Sequence, residues 1–594
     1  MEINKILKEK VCVILNKLYD LSDNSNINFQ NTRTEFIGDI TLVTFPFTKY
    51  SKKSPELTAR EIGEKLIEES DIVSNYNVVN GFLNLVISTK YYLLFFDSVK
   101  HDQNYGSTAT DENSQKVVLE YSSPNTNKPL HLGHIRNNLL GYSVAEILKY
   151  SGKKVYKTQI INDRGIHICK SMLAWKKYGN NENPCSTGIK GDKLVGKYYV
   201  VFNEVYNREI QELLSEGKDL DFAKTNAPIL IEAKKMLLKW EKGDRETLDL
   251  WNMMNKWVLD GFEETYKLLG VDFDKNYYES DTYKIGREIV EYGLKKGIFY
   301  KEKDGSIWID LTEDGLDKKL LLRSDGTSVY ITQDIGTAIK RSEEFDADIN
   351  VYTVGNEQEY HFKVLFLILE KMGYAWANKM YHLSYGMVDL PSGKMKSREG
   401  TVVDADDILI EMKQTAKSIS EQLGKLELYD EKEKEQLYEI IGTGALKYHL
   451  LKVEPKKRIV FDPEKSIDFN GNTGPFIQYT YVRIQSILKK YNGDIKETLN
   501  IENIDLLEKE KDIIKCVIEY GEIIKKSAET YNPSLVCNFV YELVKTYNTF
   551  YQSTPILNCT NKNERLFRIQ LSDLVANIIK SSMRLLGIKM PKRM

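Results

Sequence analysis

One stretch limits the folds open to this chain more than any other: Tyr121-Ser-Ser-Pro-Asn-Thr-Asn-Lys-Pro-Leu-His-Leu-Gly-His-Ile-Arg136. Just before it, Val117-Val-Leu-Glu-Tyr121 is a short, mostly apolar run, the pattern of a buried parallel strand. Just after it, Leu139 to Tyr150 has helical spacing and ends at Gly152. Pro124, Pro129 and a polar turn separate the two. Strand, tight turn and helix start form the phosphate-facing corner of a doubly wound sheet. The corner has neither a Gly-x-Gly-x-x-Gly run nor a Walker lysine, so it is neither of the common nucleotide loops. It carries His131 and His134 instead, three residues apart on one face of the first helical turn. Gly133 between them has no side chain, so a flat base can approach the backbone closely. On these residues alone, two solvated surface histidines fit the spacing equally well.

At 594 residues the chain has room for about four domains of ordinary size. Apolar content of 42% and charged content of 28% describe a soluble, globular chain. A formal net charge of -3 does not advertise nucleic acid, so any RNA contact must rest on local basic patches. The six cysteines show no Cys-x-x-Cys pair and no histidine at zinc spacing, which points to reduced thiols and to no structural metal. No apolar run is long enough to span a membrane. The N-terminal helix pattern carries Glu2, Glu9 and Asp20 and lacks a signal-peptide core, so a cytoplasmic enzyme is expected.

Read in order, residues 1 to about 112 form a separate unit. A helix over Ile3 to Leu18 precedes strand-like runs at Ile40 to Phe45 and Phe82 to Ile87, with a second helix between them, which reads as a small α+β domain. Gly106 to Gln115 is polar and makes a linker. Val155 to Ile161 reads as the next parallel strand of the nucleotide-binding half, and Asn162-Asp-Arg-Gly165 as its turn. Residues 175 to 280 are mostly helical, charged and Trp-rich, the pattern of an insertion between two halves of the sheet. Asp304 to Asp310 is a hairpin signal, and Ser324 to Asp334 reads as a turn and strand leading into a helix. Asn350 to Gly355 is a further strand, followed by a helix start at Glu357 to Phe362. Gly393-Lys-Met-Lys-Ser-Arg-Glu-Gly400 is a basic loop between glycines, and beyond Thr401 the pattern stays helical.

His131-Leu-Gly-His134 resembles the "HIGH" element of class I aminoacyl-tRNA synthetases, and Ser122 to His134 as a whole resembles the arginyl-tRNA synthetase version of it. Lys394-Met-Lys-Ser-Arg398 lies where that family carries its mobile "KMSKS" loop. Gly188 to Tyr199, Glu279 to Tyr283, Phe461 to Pro475 and the ending Ser582 to Met594 are similar to the same family. The resemblance covers almost the whole chain. It implies a multidomain α/β protein with a Rossmann-type doubly wound parallel sheet as catalytic core. An N-terminal α+β domain (1–112) would contact the tRNA elbow, and the catalytic domain would span 113–400. A helical stem (401–470) and an all-α anticodon-binding bundle (471–594) would follow. It implies ligation of L-arginine to tRNA(Arg) with ATP, Mg²⁺ accompanying the ATP, in a monomer with a homodimer left open and no membrane partner. Activation would depend on bound tRNA.

Residue by residue, the resemblance assigns His131, His134, Lys128 and Lys394 to catalysis, and Gly133, Lys396 and Ser397 with them to ATP. Serine at 397 departs from the common pattern, where a second lysine stands. Arginyl enzymes that lack it carry a lysine just upstream of the histidines, the place of Lys128 here. A guanidinium needs carboxylates in bidentate reach, carbonyl acceptors and an aromatic face. Tyr330 and Asp334, four apart, share a face once the chain is helical. With Glu120, Asn125 and Gln358 they match the family's five arginine-binding positions. Asn80, Phe82 and Asn84 match its elbow contacts, with Phe82 to stack on an unpaired base and Asn84 to bond its edge. Gln478, Tyr479, Arg483 and Met594, in the anticodon-binding bundle, are assigned to tRNA binding. Two other readings stay open: a tRNA-binding paralogue without catalysis, and a small-molecule ligase with the same nucleotide corner.

Overall fold

The computed structural model describes residues 3–21, 25–33, 35–327, 329–389, 391, 403–422 and 429–594. Its centre is a five-stranded parallel sheet. The strands are β1 (Lys116–Glu120), β2 (Lys154–Ile161), β3 (Lys275–Tyr278), β4 (Ile349–Gly355) and β5 (Met380–Tyr385), in the spatial order β5-β4-β1-β2-β3. Strand order therefore reverses direction at β1, and the crevice at the carboxyl ends of β1 and β4 is where such a sheet receives ligands. The apolar run read as β1 is buried on both faces, as a central parallel strand must be.

Helix α1 (Leu132–Tyr150) follows β1 and lies directly against it. A β-carbon at Gly141 would stand 2.3 Å from Tyr121 Cβ, so only glycine permits this approach. Asn137, buried in the same helix, ties three strand ends together. Its Oδ1 accepts from Ser122 N (2.6 Å), and its Nδ2 donates to Thr353 O (2.6 Å) and to the Tyr385 hydroxyl (3.2 Å).

The helical insertion between β2 and β3 begins one helix earlier than its charge pattern indicates. It opens with Ile166–Tyr178 and contains the long helices α2 (Gly191–Ser215) and α3 (Arg245–Leu269). Between β3 and β4 the chain forms the expected hairpin, Tyr300–Lys301 with Ile307–Ile309, extended by Lys319–Leu322 into a three-stranded antiparallel sheet. Ser324 to Asp334 differs from expectation, because the strand lies upstream of the turn. Asp325 accepts from Thr327 N and Oγ1 (2.8 and 2.7 Å), which closes a side-chain turn, and α4 (Tyr330–Phe345) then starts directly.

The N-terminal unit is a four-stranded antiparallel sheet, in the order Phe29–Asn31, Ile40–Val43, Phe82–Ile87, Val73–Val79, packed on helices Ile3–Tyr19 and Pro55–Glu69. Asn80 (φ +50°) and Gly81 (φ +80°) make the two-residue hairpin turn that the right-handed strand twist favours. C-terminal to the sheet stand α5 (Glu431–Leu451) and a bundle that starts with α6 (Gly474–Lys490) and ends with Lys562–Leu585. Among the described residues no helix is long and apolar enough to cross a membrane.

Candidate active site

His131 is the N-cap of α1, and the two histidines lock one another's surroundings. Gly133 N donates to His131 Nδ1 (3.1 Å), and His131 N donates to His134 Nδ1 (3.1 Å). A ring nitrogen that accepts an N–H bond carries no proton, so in the neutral ring the proton sits on Nε2. Both imidazoles are held neutral. Burial pushes the His131 pKa down to about 4, with the Lys128 charge adding to it. His134 is driven well below the usual range by burial, by His131 and by Lys128. The rings lie 3.9 Å apart between centroids. The outcome is two neutral Nε2–H donors at a helix N-terminus, a site suited to phosphate oxygens. The charge effect on both rings also places Lys128 beside them, on the half-exposed turn before α1. Lys394, Lys396 and Ser397 lie outside the described residues.

The turn that carries these groups is fixed to β2. Thr126 N donates to Asn162 O (3.1 Å), Asn162 N donates to Pro124 O (2.9 Å), and Asn125 stands exposed at this bridge.

Tyr330, Asp334 and Arg341 fall on one face of α4, at helical positions i, i+4 and i+11. Tyr330 is 78% exposed at the start of α4. Asp334 Oδ2 accepts from His361 Nε2 at 2.6 Å, and His361 lies in the first turn of the helix capped by exposed Gln358. Deeper in, buried Glu120 is paired through Oε2 with the buried guanidinium of Arg341. Arg341 also lies 4.9 Å over the Tyr352 ring.

Sequence reasoning did not single out Arg341, His361 or Glu279. Glu279 begins the helix after β3. Its pKa is pushed up to about 7 by burial, with Asp163 and Asp334 also raising it and Arg164 and Gln333 opposing. In the amide orientation that satisfies both neighbours, Gln333 nitrogen stands 3.1 Å from Glu279 Oε1 and its oxygen 3.3 Å from Arg164 Nη1. Glu279 and Asp334 are thus two acids close enough to feel one another's charge.

Two of the cavities away from the crevice hold residues that the sequence matched to tRNA contacts. One, of about 110 Å³, is in the N-terminal sheet and is lined by Asn80, Phe82 and Asn84, with Arg33 and Phe36 opposite. Phe82 is half-buried, edge-on to Phe45 at 5.2 Å. Asn84 is 2% exposed; its Oδ1 accepts from Thr41 Oγ1 (2.6 Å), while its Nδ2 has no partner. The second, of about 460 Å³, lies in the C-terminal bundle and is lined by Tyr479, Arg483, Lys490, Tyr551, Asn558 and Met594. The Arg483 guanidinium sits 5.0 Å from the Tyr479 ring and 4.9 Å from Tyr551. Gln478, expected at this RNA-facing site, does not join them. It is fully buried, and its Nε2 donates to Ile440 O (3.2 Å) and Lys589 O (2.9 Å), so it braces the C-terminal segment instead of facing RNA.

Residues 97–462 match the family model described as tRNA synthetases class I (R), catalytic domain, and residues 477–594 match the DALR anticodon binding domain. An arginine–tRNA ligase of Flavobacterium psychrophilum is 57% identical over 605 residues, with all of both chains covered. The chain belongs to the arginine–tRNA ligase family. A Bacteroides fragilis arginine–tRNA ligase is 53% identical over 572 residues, covering 96% of each chain. Among solved structures, Thermus thermophilus arginyl-tRNA synthetase superposes with a TM-score of 0.79 at 23% identity, covering both chains fully. The Plasmodium falciparum enzyme gives 0.76 at 18% identity, covering 100% of this chain and 99% of its own. These two likenesses show that the arginine–tRNA ligase fold extends through all the parts described above.

Proposed function

We propose that this chain ligates L-arginine to tRNA(Arg) in two steps at the crevice above β1 and β4. In the first, the arginine carboxylate attacks the α-phosphate of ATP in line and pyrophosphate departs, leaving arginyl-adenylate. In the second, a ribose hydroxyl of the 3′-terminal adenosine takes the arginyl group and AMP leaves. The observation that carries the reading is the pair of neutral, tautomer-locked Nε2–H donors of His131 and His134 at the start of α1. Donors already aimed at developing phosphate charge need no reorganisation as the bond breaks. Lys128 supplies positive charge on the same side, and Lys394, with Lys396 and Ser397 near it in sequence, supplies it from the basic loop. Mg²⁺ enters with ATP as part of the substrate. Among the described residues no group of three or more His, Cys, Asp or Glu side chains could hold a metal ion.

The substrate guanidinium is read by Asp334 and Glu279, with Tyr330 closing over its plane or methylenes. Glu120, Asn125 and Gln358 hold the amino-acid head group. At the N-terminal cavity half-buried Phe82 receives an unpaired base of the tRNA elbow, beside Asn80, and buried Asn84 lines the same cavity. At the C-terminal cavity Tyr479, Arg483 and Met594 receive an anticodon base. The enzyme works in the cytoplasm, and activation waits for bound tRNA. The deciding experiment is aminoacylation of total tRNA with each of twenty amino acids, beside ATP–pyrophosphate exchange with and without tRNA. Charging of arginine alone, with exchange only when tRNA is present, supports the reading. Charging of another amino acid, or robust exchange without tRNA, removes the corresponding part.

A further inference from the structure

Gly188 to Tyr199, a stretch that the sequence singled out, takes no part in the chemistry proposed above. The structure makes it the start of α2, with Lys190 at the N-cap. Gly191 and Gly196 stand close together there, although glycine weakens a helix where alanine would strengthen it. Each leaves a space that a neighbour fills. A β-carbon at Gly191 would stand 2.1 Å from the Trp257 carbonyl oxygen, so α2 is seated backbone to backbone on α3. A β-carbon at Gly196 would stand 2.8 Å from Pro129 Cδ and 3.6 Å from Lys128 Cα. Pro129 cannot yield by rotating, because its ring is closed onto the backbone. The turn before the histidines therefore rests directly on α2.

The same end of α2 reaches the turn by a second route. Lys190 Nζ donates to Asp406 Oδ2 (2.6 Å) and to Thr265 Oγ1 (2.6 Å), and Thr265 Oγ1 donates to Asp406 Oδ1 (2.8 Å). Lys193 Nζ lies 2.8 Å from Asp407 Oδ1 and 3.3 Å from Asp404 Oδ2. These carboxylates stand at the start of the helix Ala405–Gln422. Asp404 bridges His131 in antiparallel fashion, and Ala405 N donates to Leu130 O (2.9 Å). Hydrogen bonds between charged groups are the stronger kind. The two lysines thus hold a segment whose backbone in turn holds His131.

We propose that Gly196 and Lys190 are positioning residues for arginine activation. Gly196 sets the distance of Lys128 from α2, and Lys190, through Asp406, sets the place of His131. The start of α2 is the seat of the turn that carries both groups. The inference rests on the reading of Lys128 and His131 as phosphate ligands. In-line attack is sensitive to small displacements of the groups around the phosphate. The residues proposed to hold arginine come from other elements, so a shift of this turn should cost rate and leave arginine binding in place.

The test is tRNA-dependent ATP–pyrophosphate exchange, with rates corrected for folded fraction by circular dichroism. G196A should lower kcat about tenfold to a hundredfold, as a misplacement near 1 Å does, with KM for arginine within about twofold. K190M, which keeps the side-chain stem and loses the ammonium, should give the same split. In a K128A background G196A should cost less than about threefold more, because the group it misplaces is already gone. K190M should behave likewise in an H131A background. Damage to packing alone would instead multiply with K128A and H131A. Unchanged kcat in G196A or K190M, equal changes in kcat and KM for arginine, or fully multiplicative losses overturn the proposal. K128A and H131A by themselves distinguish its failure from that of the underlying reading. Unchanged exchange in both removes that reading and this inference with it, whereas loss in both, with G196A and K190M at the unsubstituted rate, removes only this inference.

Discussion

At the histidine corner, each ring nitrogen that faces the protein is engaged by a backbone N–H, and the outward nitrogens carry the protons. At the place proposed for arginine the acids are engaged by side chains: His361 donates to Asp334, and Arg341 pairs with Glu120. The difference is one of partner type. Backbone partners within one helix turn cannot leave without unwinding it, so the side proposed for phosphate is fixed before any substrate arrives. Side-chain partners on separate elements can be exchanged, so the amino-acid side has internal stand-ins. In the reading proposed above, ATP meets a finished site, whereas arginine must take Asp334 from His361.

The comparison yields tests of graded size. Asp334→Asn should produce the largest loss. Removing one half of a desolvated charge pair costs about 2–5 kcal/mol, and the loss should fall on kcat/KM for arginine, with KM for ATP nearly unchanged. Equal damage to both substrates would mean that the two sides are not separable. Next comes His134→Ala, for which loss of one fixed donor should cost about 100- to 1,000-fold in kcat with KM for arginine little changed. A rise in KM alone would place the histidine in ground-state binding.

Lys128→Ala should follow, about a hundredfold down in kcat, with partial recovery on adding Ser397→Lys. Near-normal kcat in the single variant would move attention to Lys396. The smallest effect is on pH. Protonated Glu279 cannot attract a guanidinium, so with a pKa near 7 arginine affinity should rise as pH climbs from 6 to 8. The change should be about tenfold at most and absent in Glu279→Gln. An unaltered profile in that variant would assign the titration elsewhere.

What was legible in the sequence was what is contiguous in it. The histidine turn, its strand and its helix occupy one stretch, and the structure reproduces them as β1 and α1. Arg341, His361 and Glu279 come to the place proposed for arginine from three helices separated by long connections, and although Glu279 and His361 fall in stretches the sequence marks, no spacing joins the three. The hairpin at Asn80-Gly81 was readable, since that dipeptide favours such a turn, and it would have revealed the strand Val73–Val79. Gln478 shows the limit of position matching. Tyr479 and Arg483 are four apart on one face of α6, whereas Gln478 is about 100° around the helix from Tyr479 and points into the bundle.

The pairing of Arg341 with Glu120 gives the pocket a direction. The protein keeps a guanidinium of its own, tethered at the deep end of the crevice, where a dissolved one would have to compete with it. Only one carboxylate oxygen of Glu120 remains there, enough for an ammonium and too little for a fork. In the function proposed above, an incoming arginine is threaded one way round, side chain towards Asp334 and Glu279, head group towards β1. Its carboxylate then arrives on the side where the histidine turn begins. A molecule with a guanidinium at each end would gain nothing from its second one, and agmatine, which lacks the carboxylate, would occupy the track without a terminus that can react.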